Sequence, residues 1–161
     1  MSSSKKSENK PVEFNLKNPV HFLALGFGSG LLPKAPGTYG TLAAIPLFLL
    51  MSELSTMYYA LVVLLSCIIG VYLCGRTAED VGVHDHGAIV WDEFAGFFIT
   101  MFMIPVSWQS VLVGFMLFRL FDIIKPWPIS VADKKLSGGF GIMFDDILAG
   151  FFALAIMHII F

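Results

Sequence analysis

Residues Gly87–Pro105 read "GAIVWDEFAGFFITMFMIP", opening as a loop and closing as continuous apolar sequence of the kind found in membranes. Asp92 and Glu93 sit side by side where the apolar run begins. A carboxylate at the edge of hydrocarbon is costly unless a partner holds it there, and ionisable groups at that depth are functional by default. The identity of that partner decides how the rest of the chain is read.

The surroundings are equally oily. Of 161 residues, 57% are hydrophobic and 14% charged, against about 45–50% and about 25% in soluble domains. The length suits one domain. Further apolar runs cover Val20–Leu32, Leu42–Met51, Met57–Cys74, Phe94–Val106, Val111–Phe121 and Ile147–Phe161. Only Met57–Cys74 approaches the ~20 residues of a full membrane span, and the others need help from their flanks or a thinned bilayer. Val20–Leu32 is short and carries three glycines, so it is expected to be an interfacial or re-entrant helix. The pattern as a whole implies an all-α, compact, membrane-embedded bundle of about four transmembrane helices plus that N-terminal helix. Residues 1–18, polar and lysine-rich, are expected to form a flexible cytoplasmic tail, and residues 19–161 a single domain.

Charge placement supports this arrangement. The connections at residues 53–56 and 107–110 contain one charge, Glu53, whereas all ten Lys and Arg and the other eleven acidic residues fall on the opposite side. The excess of basic residues marks that side as cytoplasmic. A soluble bundle would instead need solvated charges along its outer helix faces. The net charge of -2 gives no basic excess that would suggest nucleic acid. Cys67 and Cys74 are seven residues apart within an apolar run, which suits packing and not a disulfide framework.

Three helix ends meet the charged side. One begins at "WDEFAG" with Asp92 and Glu93, one finishes at "FRLFDIIKPWP", and one is expected to begin at "FDDILAG" with Asp145 and Asp146. Arg119, Asp122 and Lys125 recur every third residue and share one helical stripe. Five carboxylates gathered without a counter-charge would repel one another, and a divalent cation removes that conflict. Oxygen donors without a cysteine or histidine set favour Mg²⁺, which also binds phosphate. Asp92, Glu93, Asp122, Asp145 and Asp146 are therefore the candidate metal ligands. Two plainer roles stay open: Asp145 as a helix N-cap, and Arg119 with Asp122 as a structural ion pair.

"LLPKAPGTYGTLAAIP", residues 31–46, places Thr38 and Thr41 among glycines at a helix start. Backbone N–H groups and hydroxyls there can hold a phosphate, although the same residues also suit plain capping. Lys34 reads equally as a phosphate contact or an interfacial anchor. "VHDHG", residues 83–87, lacks the spacing of a zinc site. Arg76, Glu79 and Asp80 read as a solvated helix end, with Asp80 a possible addition to the acidic group.

Taken in order, "GFGSGLLPKAPGTYGTLAAIP", "HDHGAIVWDEFAGFF" and "FRLFDIIKPWPISVADKKLSGGFGIMFDDILAG" resemble the three signature blocks of the bacterial phosphatidylglycerophosphatase A family. The resemblance covers about residues 20–155. It implies a multi-pass enzyme of the bacterial cytoplasmic (inner) membrane, with its active face cytoplasmic, that removes the terminal phosphate of phosphatidylglycerophosphate with Mg²⁺ and yields phosphatidylglycerol. Soluble relatives of the family are all-helical with a central helix enclosed by others. On that reading Asp92, Glu93, Asp122, Asp145 and Asp146 are ligands or position water. Arg119 and Lys125 act on the phosphoryl oxygens, and Thr38 and Thr41 cradle the phosphate. The rival reading is a small membrane transporter or channel subunit using the acids as an ion path, which requires carboxylates spread through the bilayer depth. The sequence sets no oligomeric state.

Overall fold

A ten-residue helix lies at the centre of the molecule. In the computed structural model, which describes residues 12–161, α4 (Trp91–Thr100) is buried at every position from Asp92 to Thr100. A helix apolar on all sides is stable only when enclosed, and α4 is enclosed by four longer helices. These are α2 (Pro36–Met51), α3 (Thr56–Val81), α5 (Trp108–Ile124) and α7 (Gly138–Ile160). Two short helices, α1 (Pro19–Ala24) and α6 (Ile129–Lys135), and one 3-10 turn at Ser29–Leu31 complete the chain. The described residues contain no strand.

Close backbone approach holds the centre together. A Cβ on Gly150 of α7 would stand 2.6 Å from the Gly96 carbonyl oxygen of α4, and a Cβ on Gly96 would stand 2.4 Å from the Phe118 ring of α5. Small residues at such crossings let helices meet through their backbones. Phe48, Phe94, Phe97, Phe118 and Met157 fill the remaining space. The Tyr59 hydroxyl donates to the Phe98 carbonyl (2.6 Å) and the Trp91 indole N–H to the Ser66 carbonyl (3.0 Å), tying α3 to α4 in two places.

Among the described residues, α3 and α7 are the two helices long and apolar enough to cross a membrane. At 26 and 23 residues they measure about 39 and 35 Å, against the ~30 Å of a hydrocarbon core. The outward face of α3 is a continuous apolar stripe of Met57, Leu61, Leu64, Ile68 and Tyr72, all exposed. An exposed apolar face of this extent belongs against lipid or a partner, not water.

The starts of α2, α4, α6 and α7 gather with the ends of α3 and α5 at one end of the bundle. The loop at Ser52–Ser55, the turn at residues 101–107 and the C-terminus lie at the other, where His158 meets the Phe102 carbonyl (3.0 Å). The segment Val20–Leu32 contains only the six residues of α1 before the chain turns, with left-handed backbone at Gly26, Phe27 and Gly28. Six residues measure about 9 Å, so this segment does not cross. Of the tail expected over residues 1–18, residues 1–11 lie outside the described part. Phe14 packs its ring edge-on to His21 and His86, and Asn18 caps α1 by accepting from the Val20 N–H (3.0 Å).

One expected boundary needs correction. The last helix does not begin at Asp145 but at Gly138, two turns earlier, so Asp145 caps nothing. Gly139 and Gly141 in the first turn of α7 serve close contact. A Cβ on Gly139 would stand 1.8 Å from the Val71 carbonyl oxygen of α3, and one on Gly141 would stand 2.7 Å from Leu136.

Candidate functional site

The five carboxylates singled out above all reach the same end of the bundle, and all are buried. Asp92 and Glu93 occupy the first turn of α4, where the helix N-terminus favours negative charge. Val90 is the N-cap of this helix, so neither acid is spent on capping. Asp122 faces inward from the last turns of α5. Asp145 and Asp146 sit two turns inside α7, which carries them to the depth of the α4 start.

They form two groups that share one member. Asp92, Glu93 and Asp146 bring one oxygen each to within 4.8 Å of one another, as do Asp122, Asp145 and Asp146. The groups differ in what already satisfies them. Asp122 accepts from Arg119 Nη1 through Oδ2 and from Lys125 Nζ through Oδ1 (3.4 Å). Asp145 accepts from Lys125 Nζ (2.7 Å) and from the Asp146 N–H (3.0 Å). Asp122 and Asp145 thus have basic partners. By contrast, Asp92 Oδ1, Glu93 Oε2 and Asp146 Oδ2 are buried with no hydrogen-bond partner at all. Leaving such an oxygen unsatisfied costs about 1–3 kcal/mol, and more when it is charged. Three clustered acids, each with an unsatisfied buried oxygen, fit a hard divalent cation.

Arg119 links the groups. Its Nη1 also lies 3.7 Å from Glu93 Oε1, and its Nε is buried without a partner. Lys125 ends α5 in a left-handed conformation (φ 49°) that turns the side chain back over Asp122 and Asp145. Burial alone would lower the Lys125 pKa, but the hydrogen bond it donates to Asp145 and the charges of Asp145, Asp122 and Asp146 outweigh it and hold the amine above its ordinary range.

The start of α2 covers this cluster. Gly37 touches it directly: a Cβ there would stand 2.9 Å from both Arg119 Nη1 and Glu93 Oε1. Sequence reasoning treated Gly37 only as part of a phosphate-loop pattern, and nothing in its spacing announces this contact. Thr38 is half-buried on the same turn. Thr41 is fully buried, and its hydroxyl donates to the Gly37 carbonyl (2.8 Å), so it braces the turn from beneath. Lys34 is exposed with a left-handed backbone.

The remaining candidates are engaged elsewhere. His84 Nε2 accepts from the Gly138 N–H (3.0 Å) and His86 Nδ1 from the Ala88 N–H (3.0 Å), so both imidazoles hold loops. Asp80 pairs with Arg76 (3.2 Å) and His21 (3.0 Å) and does not join the acidic group.

The family model for phosphatidylglycerophosphatase A matches residues 22–161. The chain is 55% identical over 146 residues to phosphatidylglycerophosphatase A of Escherichia coli K12, covering 90% of this chain and 85% of the relative. It is 50% identical over 157 residues to phosphatidylglycerophosphatase A of Haemophilus influenzae, covering 96% of each. A putative phosphatidylinositol-3-phosphatase of Bacteroides thetaiotaomicron is 32% identical over 145 residues, covering 85% of this chain and 90% of that one. No solved structure matches the chain.

Proposed function

The chain belongs to the phosphatidylglycerophosphatase A family, and on that premise we propose how it hydrolyses the terminal phosphomonoester of phosphatidylglycerophosphate to give phosphatidylglycerol. The observation that carries the reading is the set of three buried, unpartnered oxygens of Asp92, Glu93 and Asp146. They form the seat of a Mg²⁺ ion, with Asp122 and Asp145 beside them, completing the five-carboxylate set. When bound, the ion lowers the pKa of water and draws charge from the phosphoryl oxygens.

The chain's own groups supply the rest. Arg119 and Lys125 present fixed positive charge to the transferring phosphoryl group, and because Asp122 and Asp145 already hold them they need little reorganisation during reaction. Thr38 and the N–H groups at the α2 start close over the phosphate. Thr41 serves by fixing that turn. The acids leave the helices at one end, so the site lies where hydrocarbon meets the cytoplasm, at the level of a lipid headgroup.

The same geometry supports placement in a membrane. Four helices surround α4, and the expected count of about four crossings is met if α2 and α5 cross together with α3 and α7. Trp108 and Trp127 are both highly exposed and bracket α5, as interfacial anchors do. The 17 residues of α5 span about 26 Å, which suits a slightly thinned bilayer. An ion path would need acids along the bundle, whereas among the described residues Glu53 is the single acid at the opposite end.

The test is phosphate release by purified protein from phosphatidylglycerophosphate, with and without Mg²⁺, with phosphatidic acid as competing substrate. Release that depends on Mg²⁺ and favours phosphatidylglycerophosphate is expected. Release indifferent to the ion, or a preference for phosphatidic acid, refutes the reading.

A further inference from the structure

Two apolar grooves run along the lipid-facing surface. One, of about 480 Å³, lies between α2 and α5 and is lined by Leu42, Ile45, Leu49, Trp108, Leu112 and Phe115, among others. The second, of about 390 Å³, lies between α3 and α7, lined by Leu64, Cys67, Ile147 and Phe151 among others. Both fall within the ~300–1,000 Å³ of small-ligand sites, so size does not distinguish them. Their relation to the carboxylates does.

The α2–α5 groove leads up to the cluster on both walls. On α2, Leu42 follows Thr41, and the turn above it holds Gly37 against Arg119 and Glu93. On α5, Phe115 lies one helical turn below Arg119. The α3–α7 groove is shut off instead. Above Cys67, the space beside Gly70 is filled by Met143 and Trp91, whose atoms would meet a Gly70 Cβ at 2.6–2.7 Å. The Trp91 indole is fixed there by its bond to the Ser66 carbonyl.

We propose that the α2–α5 groove holds one acyl chain of the lipid substrate, so that the chain aligns the phosphate beside Arg119. This rests on the lipid phosphatase reading above. The occupant follows from continuity and chemistry. A phosphate seated in the cluster leaves its glycerol backbone at the top of this groove, and the groove below is apolar and open sideways to hydrocarbon. Lipid tails are as apolar as the leucines lining it, so transfer from the bilayer gives little affinity. The gain is alignment of the reacting group.

Depth along the groove makes the idea measurable. Leu42 is at the cluster end, and Leu49 lies two turns farther down beside Trp108. Both side chains are partly exposed, as are Leu112 and Leu64, so tryptophan at any of them does not overpack the core. Phosphate release is measured in mixed micelles on dioleoyl and dihexanoyl phosphatidylglycerophosphate. Leu42→Trp is expected to lower kcat/KM at least about tenfold on both substrates. Leu49→Trp is expected to do so on the dioleoyl substrate alone, and Leu64→Trp on neither. Leu112→Trp, midway along, repeats the test should Leu42→Trp not fold, and is expected to impair the dioleoyl substrate more. Equal effects of Leu49→Trp on both substrates, unchanged kinetics in the α2–α5 variants, or an equal loss from Leu64→Trp overturns the groove. Wild-type protein inert toward both substrates overturns the phosphatase reading itself, which is a separate outcome.

Discussion

Replacing Gly37 with alanine separates catalytic geometry from folding. The added Cβ would stand 2.9 Å from Arg119 Nη1 and Glu93 Oε1, and 3.0 Å from Arg119 Nη2. Comfortable contact begins near ~3.5 Å, so both polar ends must retreat by roughly half an ångström or more. They can do so, because each is the far end of a flexible side chain. Stability should therefore hold or rise slightly, since glycine within a helix is worse than alanine by about 0.5–1 kcal/mol. Turnover should not hold, because displacing positioned groups by about 1 Å costs on the order of 100-fold. Gly40→Ala supplies the contrast. Its Cβ would stand 2.6 Å from Val90 Cβ, a side-chain root that cannot swing away, and such overpacking costs about 1–3 kcal/mol. The assay is phosphate release and thermal unfolding on the same preparations in detergent. Gly37→Ala with wild-type turnover, or with a loss of stability equal to that of Gly40→Ala, refutes the argument that Gly37 spaces Arg119 and Glu93.

Three other substitutions probe separate parts of the structure. Asp146→Asn removes the carboxylate shared by both groups and is expected to lower turnover about 1,000-fold, equivalent to about 4 kcal/mol of transition-state stabilisation, while Asp133→Asn, exposed on α6, leaves it unchanged; steady-state kinetics decide. Lys125→Met leaves Asp145 and Asp122 short of their shared partner and is expected to lower kcat about 100-fold or more, with partial recovery in Lys125→Arg. Gly139→Ala drives a Cβ to 1.8 Å from the backbone oxygen of Val71, and is expected to destabilise the fold by about 3 kcal/mol, read as a lowered unfolding temperature.

The helical class, the gathering of charge at one end and the five acidic positions were legible because each follows from local composition. Apolar runs announce themselves, and an acid beside one is conspicuous. Asp92, Glu93, Asp122 and Asp146 needed no more than that. What escaped sequence reading depends on contacts between distant segments. The start of α7 at Gly138 was hidden because Gly139 and Gly141 look like a loop until Val71 and Leu136 are seen to require them. The inner position of α4 was hidden too, since a ten-residue helix enclosed on all sides and an outer membrane helix have the same apolar composition. The bond from the Thr41 hydroxyl to the Gly37 carbonyl is likewise a matter of geometry, since its place at a helix start suits phosphate binding and capping alike. The division of the acids between basic partners and unsatisfied oxygens is a matter of side-chain geometry, and spacing alone does not carry it.

Whether the orphan oxygens seat a cation is read directly by titrating the detergent-purified protein with Mn²⁺, a paramagnetic substitute for Mg²⁺, and following the free ion by electron paramagnetic resonance. Wild-type protein should bind Mn²⁺ in competition with Mg²⁺, and the Asp92→Asn/Asp146→Asn double variant should lose that binding while keeping its helical circular dichroism. A folded double variant that binds Mn²⁺ as tightly as the wild type would mean that these carboxylates converge for some other reason.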